Sequence, residues 1–123
     1  MNPRFSVSLQ KIINEMNLKT LYAAEDPCKI LISSMDVNRP GLQLTGFLDR
    51  FDNERIQVMG LTEESYLKQF SDEQVAQAAE NYLALKPPVL IFTREIQPPP
   101  QIMEAARRHG VTVLGTDEAT STF

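Results

Sequence analysis

The sequence predicts an α/β domain: a single unit two or three layers thick, with a mixed, largely parallel sheet flanked by helices. Three observations carry this expectation. From Arg55 to Leu114, strand-like and helix-like runs alternate as strand–helix–strand–helix–strand, the order in which parallel strands are joined by right-handed crossovers. Val89-Leu90-Ile91-Phe92 is apolar without interruption, as in a strand covered on both faces. A chain of 123 residues suits one core, and by its length it buries roughly two-thirds of its unfolded surface.

The elements follow in order. Ser6 stands as the N-cap of a first helix, with Val7, Leu9, Ile12, Ile13 and Met16 at helical spacing and Asn17 as its stop. Leu18 to Tyr22 reads as a short strand and Lys29 to Ser33 as another, with Glu25-Asp26-Pro27 as the turn between them. The two strands could pair as a hairpin, while the run Ile30-Leu31-Ile32 points to burial on both faces. Arg55 to Met59 is a strand closed by Gly60. Thr62 then caps a short helix whose first turn carries Glu63 and Glu64, the end where negative charge is favourable.

Ser71 and Gln74 have the spacing of a capping box and open an alanine-rich helix reaching about Leu83. Pro87-Pro88 stops it, and the strand Val89–Phe92 follows. Pro98-Pro99-Pro100 launches a helix from Gln101 to His109, Gly110 ends it, and Val111 to Leu114 completes the sheet. The domain body is expected over residues 1–115. Thr116 to Phe123 reads as the start of a linker, so that the chain looks cut rather than finished.

One loop is more heavily specified than any other. Asp36-Val37-Asn38-Arg39-Pro40-Gly41-Leu42-Gln43-Leu44-Thr45-Gly46-Phe47 combines a fixed-φ proline, two glycines and a polar-basic triplet. Gly41 and Gly46 have the spacing of a phosphate-binding loop. Phe47 and Leu48, however, stand where its lysine and its serine or threonine are needed, so neither a phosphate contact nor a Mg²⁺ ligand is supplied. Pro40, Gly41 and Gly46 are expected to shape the loop. Asn38 and Arg39 are its candidate contacts to a ligand or a neighbouring domain.

Composition excludes several classes. A net charge of −4 argues against nucleic acid, which calls for clustered Lys and Arg. The basic run Arg107-Arg108-His109 fits the last turn of a helix, where cations suit the dipole. The single cysteine, Cys28, forms no internal disulfide and is expected to be an incidental, half-buried thiol. No signal-peptide pattern is present, and no apolar run approaches the roughly 18 residues of a membrane span, so a soluble cytoplasmic protein is expected.

Parallel sheets place ligand sites beyond the C-terminal ends of their strands. Those ends carry Thr93-Arg94-Glu95, Gly60-Leu61-Thr62-Glu63 and Gly115-Thr116-Asp117-Glu118. Arg94 is the basic residue among them. It would meet an anion or, more plainly, pair with Glu95 or Glu63. His109 has no Ser or Asp at a catalytic spacing, and the adjacent carboxylates Glu63 and Glu64, or Asp72 and Glu73, diverge in direction on a helix. Neither HExxH, GxSxG, CxxC nor GxGxxG occurs. No catalytic, cofactor-binding or metal-ligating residue is therefore assigned. Two classes remain: a non-catalytic module attached to something larger, or a small stand-alone α/β protein binding a ligand around Asn38, Arg39 and Arg94.

The loop Asn38 to Phe47 closely resembles one in the N-terminal domain of bacterial HPr kinase/phosphorylases. The likeness continues through Glu54 to Gly60, Thr62-Glu63, Ser65-Tyr66-Leu67, Pro88 to Arg94, Pro98-Pro99, Val113-Leu114 and Thr120 to Phe123, in order along the chain. The resemblance implies an α/β fold akin to Mur ligase N-terminal domains, and an accessory or regulatory role. It also implies a parent enzyme that phosphorylates a serine of HPr, the phosphocarrier of the sugar phosphotransferase system, in carbon catabolite repression, and removes that phosphate by phosphorolysis. ATP, Mg²⁺, the true phosphate loop and most of a homohexameric assembly would belong to a C-terminal domain lying beyond residue 123. Expected partners are that domain and, through the parent enzyme, HPr, with neither nucleic acid nor membrane.

Overall fold

The computed structural model describes residues 7–32, 37–40, 44 and 55–117. Its centre is a five-stranded sheet in the spatial order β2-β7-β6-β5-β4, built from β2 (Lys19–Tyr22), β4 (Val37–Asn38), β5 (Ile56–Met59), β6 (Val89–Phe92) and β7 (Thr112–Gly115). The strands β4 to β7 are parallel and β2 runs antiparallel beside β7, so the sheet is mixed and largely parallel as expected.

Period-two alternation divides the core. Leu90, Phe92, Met59 and Val113 face one way, onto Leu67 of α2 (Leu61–Leu67), Val75, Ala79, Tyr82 and Leu83 of α3 (Asp72–Leu83), and Ile102, Ala105 and Ala106 of α4 (Pro100–His109). Val89, Ile91, Ile56, Val58 and Leu114 face the other way, onto Leu9, Ile12 and Ile13 of α1 (Leu9–Met16). Helices thus cover both faces, and the domain has three layers. The uninterrupted apolar run at β6 follows directly, because every residue of that strand meets a helix layer.

Local chemistry sets the helix ends. The Ser71 hydroxyl accepts from Gln74 N at 3.2 Å and the Gln74 side chain accepts from Ser71 N at 3.0 Å, the reciprocal box expected there. Pro100 opens α4 without losing a helical bond, and Gly110 ends it at φ +70°. Asn17 closes α1 in the left-handed region at φ 54°, while Leu18 N donates to the Ile13 carbonyl at 3.0 Å. Asparagine tolerates this conformation better than most residues.

Four expectations are corrected. Ser8, not Ser6, caps α1, its hydroxyl accepting from Lys11 N at 3.2 Å, and Val7–Ser8 forms β1. Lys19–Tyr22 makes no hairpin with the segment after it: β2 pairs with β7, whereas β3 (Leu31–Ile32) pairs antiparallel with β1. The cause lies in the turn, where Asp26 caps a 3₁₀ turn over Pro27–Lys29 and Leu9 N takes the Ile30 carbonyl at 2.8 Å, drawing this segment to the start of α1. Leu31 is accordingly 64% exposed while Ile32 is buried, so the run is not covered on both faces. Thr62 is not the cap of α2 either. Gly60 holds that position, and its N–H is taken by the buried Glu63 carboxylate at 2.7 Å.

Candidate functional site

The C-terminal edge of the parallel strands is where such a sheet would bind a ligand, and it has two corners. At the β4–β5 corner the predicted residues Asn38, Arg39 and Pro40 come together with Gln57 and Tyr82, which sequence reasoning left out, and with Glu63, which it had offered to Arg94. Asn38 Nδ2 donates to Gln57 Oε1 at 2.7 Å, and the Tyr82 hydroxyl donates to the same oxygen at 2.8 Å. Gln57 Nε2 in turn donates to the Arg55 carbonyl at 2.9 Å. Gln57 alternates with Ile56 and Val58, which puts its amide on the α3 side, where an apolar side chain would be the ordinary occupant. A fully buried amide is tolerable only with its bonds made, and these are made.

Arg39 extends the same corner. Its guanidinium donates to Glu63 Oε1 at 2.6 Å, the oxygen that also accepts from Gly60 N. The Glu63 side chain is only 5% exposed and that of Arg39 40%, so the pair has a buried acceptor and a half-wet donor. Pro40 is buried, and its carbonyl accepts from Leu44 N at 3.0 Å. Gly41 and Gly46 lie outside the described residues. Burial, with the Glu63 charge as a lesser cause, pushes the Tyr82 phenol well above its usual value, so it stays a donor.

The β6–β7 corner is differently made. Thr93-Arg94-Glu95-Ile96 is a tight turn closed by Ile96 N to the Thr93 carbonyl at 3.0 Å. Arg94 and Glu95 have φ of 54° and 55°, two successive non-glycine residues in the left-handed region, a strain of roughly 1–2 kcal/mol each. The expected pairing of Arg94 with Glu63 or Glu95 does not form: among the described residues Arg94 has no ion pair, because Glu63 belongs to Arg39 and the turn exposes the side chains of both Arg94 and Glu95. Beside this turn lies an open cleft of about 500 Å³, walled by Asn17 to Lys19, Leu21, Glu95 to Gln97 and Gly115 to Asp117.

The basic run at the end of α4 is used within the fold. Arg108 donates to Glu80 Oε2 at 2.7 Å, His109 Nε2 lies 2.9 Å from Glu80 Oε1, and Arg107 sits over the Tyr22 ring at 5.9 Å. The hydrogen bond from Arg108, then that from His109, holds the Glu80 carboxyl below its usual range. Cys28 is exposed rather than half-buried, since the 3₁₀ turn carries it outward. Among the described residues no cluster of His, Cys, Asp and Glu could hold a metal, and no helix is long and apolar enough to cross a membrane.

The family model described as HPr Serine kinase N terminus matches residues 7–123, nearly the whole chain. The chain belongs to that family. Among relatives of the HPr serine kinase N terminus, the HPr kinase/phosphorylase of Caldanaerobacter subterraneus is 41% identical over 117 residues, covering 95% of this chain and 38% of that protein. Those of Lachnoclostridium phytofermentans and Streptococcus thermophilus are 34% and 30% identical, covering 97% and 96% of this chain and again 38% of the relative. The chain thus spans little more than a third of the length of these relatives.

A solved structure of the CBS and DRTGG domains of the regulatory region of Clostridium perfringens pyrophosphatase, complexed with its activator diadenosine tetraphosphate, superimposes with a TM-score of 0.63 at 18% identity. It covers 94% of this chain and 43% of that one, a likeness of fold. The contacts missed by sequence reasoning had weak signals. Gln57 is a polar residue inside an apolar strand, and Glu63 follows Gly60 at capping-box spacing, but nothing linear pairs Glu80 with Arg108.

Proposed function

We propose that this chain is the N-terminal, non-catalytic regulatory or accessory domain of a longer HPr kinase/phosphorylase. One observation carries the reading: 95% of the chain aligns with only 38% of its Caldanaerobacter relative, and the family model it fills is that of the N terminus. The whole protein then uses ATP and Mg²⁺ in its remaining, C-terminal part, phosphorylates a serine of HPr and reverses this by phosphorolysis in the cytoplasm. That C-terminal part also builds most of a homohexamer.

The β4–β5 corner supports the division of labour. Asn38 and Arg39, at the C-terminal end of β4, are engaged within the fold by bonds to Gln57 and Glu63. The role assigned to Asn38, Arg39, Pro40, Gly41 and Gly46 is to shape and lock the loop, and Arg94 is left as a surface contact. Phosphotransfer tests the reading: the longer protein should phosphorylate HPr with ATP and residues 1–123 should not. Transfer by residues 1–123 alone overturns it, as does a longer protein inert toward HPr.

A further inference from the structure

The cleft at the β6–β7 corner is unexplained by the loop and by the proposed division of labour. It lies beyond the C-terminal ends of β6 and β7 and alongside β2, an edge strand of the sheet among the described residues. Its floor depends on a missing side chain, because a Cβ on Gly115 would stand 3.3 Å from Leu21 Cδ1, so glycine lets Leu21 lie across the end of β7. Leu21 remains 37% exposed there, and buried Ile96 lines the same cleft with the polar Lys19, Glu95, Gln97 and Asp117.

This lining suits polypeptide better than a metabolite. Small-molecule sites converge a few polar groups into an apolar enclosure. Here both signs of charge sit around an open rim. The one buried, unsatisfied side-chain atom among the described residues, Arg55 Nε, belongs to the β4–β5 side, so no buried polar group waits in the cleft. The exit path of the chain names the occupant. Thr116 N donates to the Phe92 carbonyl and Glu95 N to the Thr116 carbonyl, both at 2.9 Å, which pins the end of the fold to the strained turn. Asp117, the next residue, is itself part of the cleft wall. The relatives carry most of their length beyond the matched portion, and the matched portion is the N terminus. In a longer protein, polypeptide following Asp117 would thus start beside the cleft, at an effective concentration on the order of millimolar.

We infer that this cleft, between the edge strand β2 and the Arg94–Glu95 turn, is the seat of the same chain's polypeptide C-terminal to residue 123, and so couples this domain to the rest of the protein. The inference rests on the reading of the chain as part of a longer HPr kinase/phosphorylase.

The test uses that longer protein, with its other cysteines replaced and a single thiol introduced as Gln97→Cys or Leu21→Cys in the cleft, or as Glu15→Cys on exposed α1 for comparison. Maleimide labelling of the cleft thiols should be about ten-fold or more slower than at position 15, since a segment seated nine-tenths of the time leaves them open for one tenth. A photo-crosslinker on the Gln97→Cys thiol should join a peptide C-terminal to residue 123. Mixing isotopically light and heavy protein should show the join within one polypeptide. Equal labelling rates, protection only on adding nucleotide, or a cross-link to another copy or another protein each overturn the inference. Phosphotransfer to HPr is assayed on the same samples. Slow labelling and the expected cross-link without phosphotransfer overturn the kinase reading and leave the docking inference standing; phosphotransfer with an open cleft does the reverse.

Discussion

The two corners of the sheet's C-terminal edge satisfy their chemistry in opposite ways. At the β4–β5 corner polar groups are taken out of water and matched to one another: Asn38 and Tyr82 meet on Gln57, and Arg39 and the Gly60 N–H meet on Glu63. At the β6–β7 corner the backbone is held in a costly shape while Arg94 and Glu95 point into solvent around an open cleft. The lesson is that position at a functional edge does not assign function. The corner whose sequence most resembles a ligand loop is internally satisfied. The corner with an unremarkable Arg-Glu dipeptide is the one left open.

Substitutions should sharpen that contrast, beginning with the largest effect. Glu63→Ala uncaps α2 and frees Arg39, and should cost about 2–3 kcal/mol in urea unfolding with an unchanged m-value. Arg39 is half-exposed and can rehydrate, which keeps the loss below the roughly 3–5 kcal/mol of a wholly buried pair. Should the loss stay under a few tenths, the corner is not locked as described.

Gln57→Leu removes the acceptor shared by Asn38 and Tyr82 and should cost about 2 kcal/mol, while Tyr82→Phe should cost about 1. Because the two share one bond, the double variant should lose less than the sum; strict additivity would deny the network. The Tyr82 phenol also has a pH signature. Its raised value means that its contribution is intact below the ordinary phenol value near 10 and is lost as pH rises through it and beyond. Tyr82→Phe should therefore flatten the alkaline limb of a stability–pH curve.

At the other corner the sign reverses. Glu95→Gly should stabilise the domain by about 0.5–1 kcal/mol, since glycine occupies φ 55° without a Cβ penalty and the relief exceeds its entropic cost. A destabilised variant would show that the turn is unstrained. The smallest effect belongs to Glu80→Gln, which weakens the tie between α3 and α4. Glu80 is held below its ordinary value of 4.5, so its contribution is present above that pH and fades as pH falls through the lowered value. The difference in melting temperature between the variant and the parent should narrow on acidification; a constant gap would contradict it.

How much of this was legible depends on the range of the interaction. The helix ends were readable where a short motif contains its own partners, as at Ser71 and Gln74 or Pro100 and Gly110. The strand Val89–Phe92 was readable because burial on both faces is written into four consecutive residues. Pairing was not: nothing in Lys19–Tyr22 announces β7, and Leu31 looks as apolar as Ile32 though only one is buried. The partners of Asn38 and Arg39 were not legible, because Gln57, Glu63 and Tyr82 come from three later elements. Of the two carboxylates expected for Arg94, Glu63 is held by Arg39 and Glu95 is turned out with Arg94 in the same tight turn. No local pattern foretold the left-handed pair at Arg94–Glu95, where tertiary bonds override residue preference.

The pairing of β2 with β7 also sets a schedule. Lys19 lies opposite Gly115, so an early strand of the domain finds its neighbour only in the last one, the kind of non-local contact that slows folding. On a ribosome α1, which packs under Ile56, Val58, Val89, Ile91 and Leu114, gains its cover strand by strand and is fully covered only once β7 has emerged. Once Gly115 is out, all five strands of the sheet among the described residues are present. This domain can then close as a unit while any polypeptide behind it is still being made.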